Sequence, residues 1–172
     1  NATAHIHNCR IYNLHTGNYP ALNCSHTIIV TQSEIIADGN ITTNQRAVVT
    51  ATTNDQVIID GCVIRGRKGV GATPGVAGFI VTNAPNQVME IGIQIDFQSS
   101  TLEVKTGVIT NNTIYHSNTS GIDINELPEL NEKSAVFIAN NIIWGDGAGK
   151  GIENGDSTVT VGPVIMNNAT GN

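Results

Sequence analysis

Apolar and polar residues alternate along the chain in short segments, and one such segment recurs several times. In most copies an apolar residue stands two positions before a pair of small or polar residues, and a second apolar residue stands two positions after it. The copies beginning at Val108 ("VITNNTIY") and Phe137 ("FIANNIIW") show it most clearly. Alternation with a period of two predicts strands, and the polar pair predicts a tight turn between two of them.

The spacing of these copies predicts a solenoid. The first apolar residue of each copy is Ile or Val at positions 6, 30, 59, 109, 138 and 165, which gives spacings of 24, 29, 50, 29 and 27 residues. Since the spacing of 50 is about twice the others, we expect a degenerate coil near "QVMEIGIQI" and about seven coils in all. One coil cannot bury its own apolar face, but stacked coils share a core. The prediction is an all-β fold, a right-handed parallel β-helix forming a single domain over residues 1–172.

The second member of each polar pair is expected to stack in a column inside the solenoid. Asn side chains there can hydrogen-bond from coil to coil, and Cys can serve as a small buried residue. Cys9 and Cys62 would lie two coils, ~9–10 Å, apart, which is too far for a disulfide. The column is Cys9, Ser33, Cys62, Asn112, Asn141 and Asn168.

Both ends of the sequence fall inside a repeat, and no amphipathic capping helix is recognisable. Because solenoid ends need protection of their strand edges, we expect a fragment or uncapped module of a larger protein or assembly. A homo-oligomer, such as a trimer, or neighbouring domains would cover the ends.

Composition narrows the set of partners. The formal net charge is −6, and residues 121–172 hold seven acidic residues against two lysines. Nucleic acid is not expected to bind, because phosphate recognition needs a basic face. No stretch approaches the ~20 apolar residues of a membrane span, so membrane insertion is not expected either.

Two carboxylates share one repeat position. Asp123 follows Gly121-Ile122, and Glu153 follows Gly151-Ile152. With the isoleucines inward, the carboxylates face outward on adjacent strands ~4.8 Å apart. The two carboxyl groups are ~5–5.5 Å apart in retaining glycosidases and ~6.5–9.5 Å apart in inverting ones. We predict an acid and base or nucleophile pair, which Asp146 could join. The alternative is a set of solvated turn carboxylates.

Aromatic and basic side chains are the candidate substrate-binding residues. Tyr115 and Trp144 share one repeat position and should face outward, where exposed rings suit the apolar faces of sugars. Arg65 and Arg67 open the Gly-rich segment 65–78, which reads as a projecting loop. The alternatives are a subunit interface for the aromatic residues and a solvated variable loop for the arginines.

No organic cofactor is expected. The Gly-rich segments lack the G-x-x-x-x-G-K-[ST] pattern of a phosphate-binding loop. The scattered histidines lack the ligand spacing of a zinc site, so no metal site is predicted from them. The acidic C-terminal coils could hold a bound Ca²⁺, which would also let an anionic polysaccharide approach.

The "I-x-N-N-x-I" turns followed by "G-I-x-I" resemble the repeats of pectate-lyase-like right-handed β-helix proteins, from about Ala4 to Thr170. That superfamily includes polysaccharide lyases, glycoside hydrolases, uronan epimerases and phage tailspikes. The chain lacks the Asp-Pro-His motif of the epimerases, the Arg and Asp cluster of calcium-dependent pectate lyases and the carboxylate motifs of polygalacturonases. The resemblance is therefore greatest to a tailspike or fibre module.

These observations favour a glycan-facing function. We expect an extracellular or virion-surface module that binds a polysaccharide and hydrolyses it if the carboxylates act. One alternative is a purely structural spacer in a fibre or adhesin. Another is a polysaccharide lyase-type enzyme with its catalytic residues outside this chain.

Overall fold

The computed structural model of the chain describes residues 3–13, 19–24, 26–37, 46–50, 56–66, 89–96, 106–126, 135–145, 150–154 and 164–171. These residues form strands and tight turns, and they include no helix of the length and apolarity that would cross a membrane. The strands are β1 (Thr3–His7), β2 (Arg10–Asn13), β3 (Leu22–Cys24), β4 (Thr27–Thr31), β5 (Glu34–Ala37), β6 (Arg46–Thr50), β7 (Gln56–Asp60), β8 (Val63–Gly66), β9 (Met89–Asp96), β10 (Thr106–Thr110), β11 (Thr113–Glu126), β12 (Ala135–Ala139), β13 (Ile142–Gly145), β14 (Lys150–Asn154), β15 (Val164–Met166) and β16 (Ala169–Gly171).

The strands form parallel sheets that repeat from coil to coil. The first sheet has the order β1-β4-β7-β10-β12-β15. In the second sheet β11 is long enough to form two successive faces: its first part pairs with β8 and β13, and its second part pairs with β9 and β14. A complete coil therefore contributes three faces. The prediction of an all-β, parallel solenoid-like fold is confirmed.

The additional coil predicted near Met89 is not found. β7 pairs directly with β10, with Ile59 opposite Ile109, so no coil lies between these two strands. Met89 begins β9, which lies between β6 and β11 in the second sheet. The spacing of 50 arises because 22 residues separate β8 from β9 in the coil that begins with β7, whereas eight separate β5 from β6 in the coil before it. The first sheet contains six strands within the described residues, and the expected seventh is absent from them.

Isoleucine and valine columns fill the interior. Val30, Ile59, Ile109 and Ile138 are consecutive partners in the first sheet, and each is almost completely buried. Equivalent columns occupy the other faces, because side chains alternate between the two sides of each strand. Burying one such side chain contributes ~1.5–3 kcal/mol, so the repeated columns supply the main stabilisation of the solenoid.

Each turn between the first two strands of a coil uses the left-handed backbone region at the first member of the polar pair. The positive-φ residues are Asn8, Gln32, Gly61, Asn111, Asn140 and Asn167. Asn and Gly adopt this conformation at lower cost than most residues do. All six turns follow one rule, as the repeat predicted.

The second members form the expected column. Asn112, Asn141 and Asn168, which we call the asparagine ladder, are linked by hydrogen bonds from Nδ2 of one to Oδ1 of the next at 3.0 and 2.9 Å. Cys62 is buried above the ladder, and its backbone N–H donates to Asn112 Oδ1 at 2.9 Å. Burial raises the pKa of the Cys62 thiol. Cys9 and Cys62 are both free, but Cys9 is exposed because no described strand covers it on one side.

Candidate functional site

The carboxylate pair, Asp123 and Glu153, lies on the third face of the solenoid. The two residues are direct partners on β11 and β14, next to the inward residues Ile122 and Ile152, which are partners themselves. The parallel register therefore brings both carboxylates to one outer surface, with backbones ~4.8 Å apart. This is the arrangement that the shared repeat position predicted.

Glu153 is stabilised in its charged form. Lys150 Nζ lies 2.6 Å from Glu153 Oε1, and Ser120 Oγ donates a hydrogen bond to Oε2 at 2.9 Å. These two contacts lower the pKa of Glu153 below its ordinary value. The carboxylate is therefore ionised at neutral pH, with both oxygens held in place.

Asp123 is affected in the opposite direction. Burial is the largest cause that raises its pKa, and the negative charges of Glu153 and Asp96 add to it, while Arg46 and Lys150 oppose the change. The same pair thus contains one carboxyl group whose pKa is lowered and one whose pKa is raised. Divergent environments of this kind are how proteins assign acid and base roles to two like groups.

Glycines fix the backbone beside the carboxylates. A Cβ on Gly121 would collide with the side chain of Ile143, and a Cβ on Gly151 would collide with Thr170. Gly92, one coil earlier, is restricted in the same way by the carbonyl oxygen of Gly121. Only glycine permits this close approach of the second and third faces. The close approach fixes the position of the backbone that carries the carboxylates two residues later.

The aromatic pair, Tyr115 and Trp144, lies on the preceding face. Tyr115 is the partner of Trp144 on one side and of Arg65 on the other. Trp144 is 55% exposed, so its ring is available to a ligand. An exposed indole beside a phenol forms a platform with both apolar faces and hydrogen-bonding tips.

Arg65 is placed differently from the sequence expectation. It lies within β8 rather than on a projecting loop, and its side chain is only 16% exposed. Its Nε lies 2.9 Å from Glu34 Oε1, and Arg10 Nε lies 2.7 Å from Glu34 Oε2. This cluster of two arginines around one glutamate was not predicted from the sequence. Arg10 and Glu34 each directly follow the polar pair in adjacent copies of the repeat. The guanidinium of Arg65 is therefore held by Glu34 and by the carbonyl of Gly66, and it is mostly buried.

The structure keeps the aromatic pair and the carboxylate pair apart. Tyr115 and Asp123 are eight residues apart on β11. The two pairs also pack on successive faces, since Tyr115 faces β8 and β13 while Asp123 faces β9 and β14. A ligand that contacts both would have to be a chain of several sugar units.

Two predicted site residues lie outside the described residues, namely Arg67 and Asp146. Within the described part of the chain, no group of three or more His, Cys, Asp or Glu side chains could hold a metal ion. The Ca²⁺ expected near the acidic coils stays a prediction, because several of those acids, Asp146 among them, are not described.

Gln94, Arg46 and Asp96 were not among the predicted site residues. Gln94 on β9 is the direct partner of Asp123 on one side of β11, and Glu153 on β14 is its partner on the other side. Arg46 Nε, Gln94 Oε1 and Asp96 Oδ1 are buried without a hydrogen-bond partner. The sequence carried a signal for Gln94, because "GIQI" at residues 92–95 matches "GIDI" at 121–124.

An apolar outer row crosses the first sheet on the face opposite its core side. Its members are consecutive partners in neighbouring coils, and each is half-buried or exposed: Ile29, Ile58, Val108 and Phe137. Such a continuous outward apolar row is unusual on a surface that faces only water.

No protein-family model, curated protein or solved structure matches the chain. The class is therefore defined by the structure, an all-β solenoid of parallel strands with an asparagine ladder at one corner. Its function has to be argued from its side chains, because one fold hosts many activities.

Proposed function

We propose that this chain is a right-handed parallel β-helix module at a cell or virion surface that binds a polysaccharide and hydrolyses it, similar to a phage tailspike or fibre. The observation that carries the proposal is the carboxylate pair, in which adjacent partners have pKa values displaced in opposite directions. Glycoside hydrolysis needs one neutral and one ionised carboxyl group flanking the scissile bond.

The separation of the two strands favours retention of configuration. Backbones ~4.8 Å apart place the carboxyl groups nearer to the ~5–5.5 Å of retaining enzymes than to the ~6.5–9.5 Å of inverting enzymes. Asp123 protonates the departing glycosidic oxygen, and Glu153 attacks the anomeric carbon to form a glycosyl ester. Water, deprotonated by Asp123, then attacks the anomeric carbon, releases Glu153 and returns the proton to Asp123.

The aromatic pair supplies binding away from the reacting bond. Trp144 and Tyr115 stack on sugar faces, and the exposed part of Arg65, whose Nε is held by Glu34, offers a polar contact to a hydroxyl or carboxylate of the glycan. Asp146 and Arg67 are retained as a third acid and a further contact.

The binding test compares the folded chain with a Tyr115→Ala, Trp144→Ala double variant on an array of polysaccharide fragments. Tyr12→Ala is the matched control, since Tyr12 is also partly exposed on the second sheet but lies in the coil of β2. Loss of binding in the double variant alone supports the platform. A folded wild-type chain that retains no polysaccharide contradicts the proposal.

Hydrolysis is tested on whichever glycan binds. Asp123→Asn should lower turnover by roughly 10²–10⁴-fold, the usual worth of a general acid, with binding retained. Asp60→Asn, which changes a carboxylate on the first sheet, should leave turnover unchanged. NMR of the first product should show the anomeric configuration of the substrate.

A structural spacer is the second candidate. The apolar outer row favours it, because a row of Ile, Val and Phe along the solenoid axis suits packing against another solenoid. A spacer would form oligomers and retain no glycan, whereas a tailspike-like module would form oligomers and also retain a glycan.

A further inference from the structure

We propose that Gln94 is a positioning residue whose side-chain oxygen accepts a hydrogen bond from protonated Asp123, and that it thereby keeps Asp123 as the acid of the pair. The role rests on the proposed function, but the contact itself can be measured without any glycan.

The register places the two side chains together. Gln94 and Asp123 are direct partners on β9 and β11, and both follow a Gly-Ile pair that fixes the strand against its neighbour. Side chains of directly opposite residues on one face of a sheet lie close enough to interact. Asp123 therefore has Gln94 as its direct partner on one side and Glu153 as its direct partner on the other.

Gln94 has an unmet need that Asp123 can satisfy. Gln94 is 7% exposed, and its Oε1 is buried without a hydrogen-bond partner. A buried amide oxygen without a donor costs ~1–3 kcal/mol. An ionised Asp123 offers only acceptors, whereas a protonated Asp123 offers the missing O–H.

The charged groups around Asp123 leave this role to Gln94. Glu153 from β14 and Asp96 from β9 favour the neutral form of Asp123, while Lys150 from β14 and Arg46 from β6 favour the charged form. These opposing charges act over a distance and specify no position for the proton. A hydrogen bond to Gln94 Oε1 would hold the proton on Asp123 until a bound glycan offers its glycosidic oxygen as the next acceptor.

The test is a carboxyl ¹³C NMR titration of Asp123 in the wild-type chain and in Gln94→Met, which keeps the side-chain length and removes the acceptor. The midpoint of Asp123 should shift downward in Gln94→Met, because a bond to the neutral form is lost. Greater desolvation by Met would shift it upward, so a downward shift has no competing explanation from burial. Gln56→Met, on the first sheet, should leave the midpoint unchanged.

An unchanged midpoint, or an upward one, in Gln94→Met would overturn the proposal. The upward result is what the opposite amide orientation predicts, with Nε2 donating to the charged carboxylate. A second measurement needs no variant: the side-chain amide signals of Gln94 should titrate with the midpoint of Asp123. If the midpoint shifts as expected but no glycan is hydrolysed, the contact stands and the hydrolase function fails.

Discussion

Single side chains at the turns determine how the coils stack. Asn112 and Asn141 each donate to the next residue of the asparagine ladder and to a backbone carbonyl: Asn141 Nδ2 contacts both Asn168 Oδ1 and the carbonyl of Ile109. Its Oδ1 accepts from the backbone N–H and from Nδ2 of Asn112. One buried amide therefore satisfies polar groups in both neighbouring coils.

Asn141→Ala should destabilise the protein by about 2–4 kcal/mol, because several buried donors and acceptors lose their partner at once. The free energy of unfolding, measured by urea denaturation, checks this. Asn140→Gly changes the exposed, positive-φ neighbour and should stay within about 1 kcal/mol of wild type. A small effect of Asn141→Ala would mean that water replaces the ladder.

Asp123 is expected to lower the free energy of unfolding as the pH rises. Its pKa is raised in the folded state, so its contribution is fully present below the unfolded value, about 3.9, and is lost as the pH rises through the folded pKa. Asp123→Asn mimics the neutral form. The variant should therefore be more stable than wild type at pH 7, and the difference should vanish below about pH 3.9.

Urea denaturation of both proteins at several pH values checks this prediction. Glu153→Gln is the informative comparison, because the pKa of Glu153 is lowered. Its contribution is present above the unfolded value, about 4.3, and is lost as the pH falls through the folded pKa. Glu153→Gln should therefore be less stable than wild type at pH 7. Part of this loss is offset, because the variant also removes the repulsion between the charges of Glu153 and Asp123. Equal stability of Asp123→Asn and wild type at pH 7 would contradict the raised pKa.

At the scale of the strand, glycines decide how the second and third faces meet. Gly121→Ala should destabilise the protein by about 1–3 kcal/mol, the usual cost of overpacking, because the new methyl group would meet Ile143. Gly61→Asn is the control: its Cβ would make ordinary contacts with Gln32 at 3.7 Å, and Asn occupies the equivalent turn position in other coils.

A double variant separates the collision with the Ile143 side chain from the collision with the neighbouring backbone. Ile143→Ala removes the nearest group that the new methyl would meet, so Gly121→Ala with Ile143→Ala should cost less than the sum of the two single changes. Additive costs in urea denaturation would mean that the carbonyl oxygen of Gly151, 2.9 Å from the new methyl group, dominates the collision instead.

The strand pattern was readable because alternation and turn residues are local properties. The columns of Ile59 and Asn112, and the pairing of Asp123 with Glu153, all follow from repeat positions alone. The place of β9 was misjudged because its "EIGIQI" segment was treated as a first strand of a coil, while Gln94 aligns with Asp123 on the third face. Burial and ion pairing of Arg65 depend on Glu34, 31 residues earlier, and only the register shows that contact.

For the whole molecule, the shared core and the outer surfaces have different roles. Much of the sheet closes over non-local pairs, with partners 24 to 50 residues apart in the first sheet, so we expect slow folding.

The outer surfaces are where function can vary: a carboxylate pair on the third face, an aromatic pair on the second and an apolar row on the first.

The apolar outer row leads to a prediction about assembly. If the module is a trimer, as proposed for a tailspike-like protein, the row of Ile29, Ile58, Val108 and Phe137 is the surface best suited to the three-fold interface, since obligate interfaces are rich in apolar and aromatic side chains. Phe137→Glu would place an unpaired charge there, at a cost of several kcal/mol, and should convert trimers to monomers. Sedimentation velocity measures the change.

Ile142→Glu is the matched control, because Ile142 is 56% exposed on the second sheet, near Trp144 and away from the outer row. It should leave the sedimentation coefficient unchanged. Trimers that are lost in Ile142→Glu but persist in Phe137→Glu would move the interface to the aromatic face, which would then be hidden from any polysaccharide. A wild-type monomer would instead leave the row exposed and remove the main support for the spacer. Glycan binding by such a monomer would still be decided by Tyr115 and Trp144.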